Sequence, residues 1–82
     1  VSFSVVYSLK KDGIKLSVRS EGVDMDAGKI INKALSGIGS GGGHAAMAGG
    51  FIPFSGDVRE AELLMGGVKE RFLEVITGKT WM

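Results

Sequence analysis

From Val1 to Leu9 the chain alternates. Val1, Phe3, Val5, Tyr7 and Leu9 form an apolar row and Ser2, Ser4 and Ser8 a polar one, broken only by Val6. A period of two is the signature of a strand with one buried face. Ile14, Leu16 and Val18 repeat the pattern against Lys15, Ser17 and Arg19, which predicts a second strand that turns Ser17 and Arg19 away from the core. Asp12-Gly13 between the two runs is a pair suited to a tight turn, so the first two elements should be a hairpin.

After Glu21 the period changes. Asp26 is placed to accept from free backbone N–H groups at the start of a helix. Ile30 or Ile31, Ala34, Leu35 and Ile38 then follow at three- and four-residue spacings, an apolar stripe able to lie on the hairpin. Gly37 and Gly39 blur the helix end. The segment from Gly37 to Gly50 holds seven of the chain's 14 glycines. Beyond His44, the small apolar run from Ala45 to Ile52 reads as a short buried strand terminated by Pro53.

Asp57 and Glu60 have the spacing of a capping box, with Asp in place of the usual Ser or Thr. Ala61, Leu64, Met65, Val68, Phe72, Val75 and Ile76 keep the helical period to Thr77, and Gly78 supplies the stop. Gly66-Gly67 inside this helix each cost about 1 kcal/mol relative to Ala, which points to a close helix contact or a kink. The order β-β-α-β-α describes a small α/β domain with a mixed sheet and both helices packed on it.

Composition narrows the function. The chain has 82 residues, enough for one core and too few for two, so residues 1–82 form a single domain. Hydrophobic residues make up 44% and charged residues 23%, the balance of a globular domain, and no apolar run approaches the length that spans a bilayer. Ten Lys and Arg against nine Asp and Glu give a net charge of +1, too little to coat nucleic acid by bulk attraction. Any anion must be held locally. The absence of Cys excludes disulfides and thiolate metal sites and fits a reducing cytoplasm. The chain opens at Val1, within a strand pattern and without a leader, so a module excised from a longer protein, with a partner domain ahead of it, is expected.

Gly41-Gly42-Gly43-His44 sets three residues without Cβ before an imidazole. Successive bare amides can line a concave nest for an anion, and His44 adds a directed hydrogen bond. A glycine-rich loop is often only a flexible connection, and a lone His more often structural than a ligand. Here the glycines abut an apolar strand, not the Ser- and Gly-rich tract of a linker. Arg19, at the end of its strand, offers a fork for phosphate or carboxylate, with a solvated Arg paired to Glu21 as the plain alternative. Gly78-Lys79-Thr80 lacks the upstream Gly and following helix of a P-loop. With no Cys and one His, neither a nucleophile with its base nor a two-metal centre can be assembled, so no residue of this chain is expected to be catalytic or to bind metal.

Leu16-Ser17-Val18-Arg19-Ser20, then Val23-Asp24-Met25-Asp26 opening a helix, then Gly41-Gly42-Gly43-His44 with Ala46-Met47-Ala48-Gly49-Gly50-Phe51, together resemble the C-terminal domain associated with DHH-family phosphoesterases. The resemblance covers most of the chain. It implies an N-terminal DHH domain in the same protein that holds divalent metals, usually manganese, and a role for this part in positioning substrate. Gly41, Gly42, Gly43 and His44 would then hold a substrate phosphate, and Arg19 with Ser20 would contact the phosphate or terminal nucleotide. Asp24 also matches a family position.

The family's substrates are short oligonucleotides, 3′-phosphoadenosine 5′-phosphate and cyclic dinucleotides, and it includes single-strand exonucleases. The expected partners are such a nucleotide, the DHH domain, and a second copy of the chain in a homodimer, with no membrane. The alternative is a non-catalytic RNA-binding module like the one that ends alanyl-tRNA synthetases. The longer Ser36-Gly37-Ile38-Gly39-Ser40 connection and Ala45-Ala46 after the His depart from the family pattern and bear on substrate preference.

Overall fold

A computed structural model describes residues 2–21 and 25–78. Two long strands come first, β1 (Ser2–Lys10) and β2 (Gly13–Glu21), followed by helix α1 (Ala27–Ala34). Strands β3 (Ser40–Gly43) and β4 (Met47–Pro53) form a second hairpin, and helix α2 (Val58–Thr77) closes the chain. The sheet order is β1-β2-β4-β3, and all three pairings are antiparallel. The α/β class and both helices are as the pattern predicts. The sheet is not mixed, however, and it contains a fourth strand. Ser-Gly-Gly-Gly carries no side-chain alternation from which β3 could be read.

Both helices cover the same sheet face. Ile14, Leu16 and Val18 of β2 and Ile52 of β4 meet Ile30, Ile31, Ala34 and Leu35 from α1 and its end, and Ala61, Met65, Val68 and Phe72 from α2. Phe3 of β1 packs on Phe72 with ring centroids 6.0 Å apart, tying the edge strand to α2 by a tilted aromatic contact.

The helix ends follow the capping signals. Asp26 Oδ1 accepts from the Lys29 N–H at 3.0 Å, and Asp57 and Glu60 form the reciprocal capping box of α2. Gly78 adopts a left-handed conformation at φ 71° and ends the helix. The first hairpin differs in detail from expectation. Lys10 pairs with Gly13, so the two-residue turn is Lys11-Asp12, and neither residue has positive φ. Gly13 lies in the strand because the Phe51 ring rests over it: a Cβ there would sit 2.3 Å from Phe51 Cζ.

Gly66 and Gly67 lie in one continuous α2. A Cβ at either would meet nothing within 4 Å, so no close contact within the described residues accounts for them.

Candidate functional site

The face left bare by the helices carries the residues of interest. Strand alternation puts Ser4, Val6 and Ser8 of β1 on it with Lys15, Ser17 and Arg19 of β2. Met47, Gly49 and Phe51 of β4 and Ser40 and Gly42 of β3 complete it. Directly paired residues form rows across the strands. Ser17, Gly49 and Gly42 lie in one row, a floor almost without side chains. Beside it, Arg19 pairs with Met47, and Met47 accepts the His44 N–H at 2.8 Å. Arg19 and His44 therefore flank Met47, about 10 Å apart by strand spacing, within reach of one nucleotide-sized anion given the length of the Arg side chain.

The position of His44 is set by α1. The Ala27 N–H donates to the Ala45 carbonyl at 2.8 Å and the Gly28 N–H to the His44 carbonyl at 3.1 Å. With Lys29 bonded to Asp26, the first three amides of the helix, normally orphans, all have partners inside the chain. The helix N-terminus thus holds the turn that presents His44 and is not itself an anion site. Gly28 makes this contact possible, because a Cβ there would lie 2.4 Å from the Gly43 carbonyl oxygen.

The glycines divide by what surrounds them. Gly41 and Gly50 face α1: a Cβ on Gly50 would lie 2.7 Å from Ile31 Cδ1 and Leu35 Cδ1, and one on Gly41 3.0 Å from Ile31 Cγ1. They let the helix lie close to the sheet. Gly43 has φ 148°, a conformation that disfavours any side chain. Gly42 differs, because a Cβ there would meet nothing within 4 Å among the described residues. The Gly41–Gly43 segment expected as a nest-forming loop is therefore an extended edge strand in which two glycines serve packing and backbone geometry. Gly42 alone of the three opens onto the bare face.

The chain was compared with protein families, curated proteins and solved structures. The DHHA1 domain model matches residues 1–76. No curated protein and no solved structure matches the chain.

The chain belongs to the DHHA1 domain family.

The DHHA1 domain is the DHH-associated C-terminal domain of DHH-family phosphoesterases, normally found with an N-terminal DHH domain in the same chain. In this DHHA1 domain the candidate site residues do not all meet. Arg19 is exposed on the bare face, whereas Ser20 is 5% exposed on the covered face. Its hydroxyl donates to the Met25 carbonyl at 3.0 Å, and its N–H donates to the Ala46 carbonyl at 2.9 Å. Ser20 thus braces the turn beside His44 from behind the sheet. Asp24 lies outside the described residues.

Two contributors escaped sequence reasoning. Asn32 Nδ2 donates to the Gly41 carbonyl at 3.0 Å, covering part of the free edge of β3. Arg71 on α2 donates to the Ala34 and Ser36 carbonyls and so caps the end of α1 from another element. A polar residue on the exposed side of a helix carries no local sign of such contacts.

Charge is unevenly shared. Lys10, Lys15 and Arg19 fall on the bare face with Glu21 as the one acid of the two long strands there, so a net charge of +1 conceals a locally positive surface. Among the described residues no three of His, Cys, Asp and Glu gather to hold a metal ion. His44 stands among Arg19, Met47 and glycines, a donor set unsuited to a hard divalent cation. The exposed Arg19 and His44 side chains are of the donor types that hold anions. The site offers no nucleophile with an adjacent base. No helix of the described residues is long and apolar enough to cross a membrane.

Proposed function

We propose that this DHHA1 domain is the substrate-binding half of a metal-dependent phosphodiesterase or phosphatase. Its bare sheet face would hold a phosphate of a short oligonucleotide or small nucleotide, as in nanoRNA-degrading, 3′-phosphoadenosine 5′-phosphate or cyclic dinucleotide hydrolases. The observation that carries this reading is the Arg19–Met47–His44 row beside the Ser17–Gly49–Gly42 floor. Arg19 supplies a charged fork to phosphate. His44 donates a hydrogen bond from the other side, and Gly42 and Gly49 let a sugar or base approach the backbone. Gly41 and Gly43 act by positioning His44, and Ser20 by fixing the turn. A divalent metal in a DHH domain of the same protein, manganese in this reading, supplies the activated water, and the setting is cytoplasmic.

The test is a titration of the chain with a 5′-phosphorylated dinucleotide, followed by amide chemical shifts. Shifts should concentrate at Arg19, Gly42, His44 and Gly49, and Arg19→Ala or His44→Ala should weaken binding about tenfold or more, the loss of about 1.4 kcal/mol each. In a protein that includes the DHH domain, His44→Ala should sharply reduce turnover with metals still bound. Shifts confined to the helix side would refute the reading. Affinity only for long RNA, falling steeply with salt, would favour an RNA-binding module of the alanyl-tRNA synthetase type.

A further inference from the structure

Helix α2 presents an uncovered stripe. Val58 is 62% and Leu73 39% exposed, and Glu62, Gly66 and Lys69 lie between them, all exposed. Steps of 4, 4, 3 and 4 residues along these positions keep the stripe on one side of the helix. Glu62, Gly66, Lys69 and Leu73 also line an apolar groove of about 520 Å³ whose far wall is formed by Val5 and Tyr7 of β1. Gly66 is costly in a helix, and a Cβ on it would meet nothing within 4 Å among the described residues. A small residue at such a place suits the close approach of another helix.

The order of residues in the stripe identifies that helix. If a second α2 crosses antiparallel about a two-fold axis between Met65 and Gly66, each residue meets the one equally far on the other side. Glu62 then faces Lys69 of the second copy and Lys69 faces Glu62. Val58 faces Leu73 in both senses, and Gly66 lies at the crossing, where its neighbour Met65 is turned into the core and 8% exposed. Charge, apolar surface and space are all self-complementary in this one register, as an isologous interface requires. Moving the axis by half a residue, onto Gly66, would set Glu62 against Glu70. We propose that this face of α2, with the groove beside it, is a homodimer interface whose occupant is the α2 helix of a second copy of this chain.

Charge reversal tests the register. Glu62→Lys and Lys69→Glu each turn two attractive pairs of the symmetric dimer into two repulsive ones. Each should weaken self-association about tenfold or more in sedimentation equilibrium up to about millimolar chain. The double exchange Glu62→Lys with Lys69→Glu should restore it. Mixing the two single variants should yield a heterodimer, because every facing pair is then attractive. Neither rescue can come from a folding defect. Gly66→Gln, which raises helix propensity and fills the crossing, should leave the chain at least as stable yet monomeric. A wild-type chain that stays monomeric at millimolar concentration overturns the proposal. So does a dimer equally strong in all variants, or two single variants that fail to associate when mixed. The readout needs no nucleotide, so its failure is separate from that of the function proposed above.

Discussion

Gly28 donates its N–H to the His44 carbonyl oxygen at 3.1 Å, so the first turn of α1 and the candidate ligand of the neighbouring hairpin share a hydrogen bond. The contact requires a residue without a side chain, since the Gly43 carbonyl carbon would lie 2.9 Å from a Cβ on Gly28. Gly28→Ala should push the β3–β4 turn away from the helix. The expected cost is about 1–3 kcal/mol, read from the urea midpoint, with weakened dinucleotide binding although no ligand-facing group has been removed. Unchanged affinity in a folded variant would show that the position of His44 does not matter for binding.

The two kinds of glycine should separate stability from binding. Gly50→Ala forces a methyl group against Ile31 and Leu35 and should destabilise by about 1–3 kcal/mol. Gly42→Ala meets open space at a φ that is not positive, and an Ala in a strand is favoured by about 0.5–1 kcal/mol over Gly. That variant should be as stable as the parent or more so, while nucleotide affinity falls. Chemical denaturation and a binding isotherm on the same samples distinguish the two.

Arg19 and Ser20, adjacent in sequence, should behave oppositely. Arg19→Ala removes an exposed side chain and should alter stability by less than about 0.5 kcal/mol, while dinucleotide affinity drops about tenfold or more. Ser20→Ala removes the donor to the Met25 carbonyl and should cost about 1 kcal/mol of stability, with affinity within about twofold of the parent. A large loss of affinity in Ser20→Ala at unchanged stability would place its hydroxyl in direct contact with ligand.

Arg71 joins α2 to the end of α1 by bonds to two carbonyls. Arg71→Met keeps the aliphatic stem and removes the fork, and should lower stability by about 1.5–3 kcal/mol. Arg71→Lys should recover only part of this, since an ammonium cannot reproduce the planar fork. Neither change should alter nucleotide affinity in the folded protein.

Much of the architecture could be read in advance, because it rests on periodic burial and local capping. The alternation in Phe3–Leu9 and Ile14–Val18 and the Asp26 and Asp57 caps correspond to real elements. What escaped was non-local. Nothing local reveals that Ser-Gly-Gly-Gly pairs with Gly49 and Gly50, because β3 borrows its register from β4. Asp12-Gly13 reads as a turn pair because nothing in the sequence distinguishes a turn glycine from one kept bare for the ring of Phe51. The site was legible as a set of residues and not as a shape. Arg19 and Ser20 are one residue apart, yet alternation sends one to each side of the sheet.

The bonds from Ala27 and Gly28 to the carbonyls of Ala45 and His44 also fix when order is acquired. The turn carrying His44 cannot wander without unpairing the start of α1, so its conformational entropy is lost as the domain folds and not when ligand arrives. Binding then has to order only the side chains and the incoming molecule, which leaves more of each contact's strength to appear as affinity.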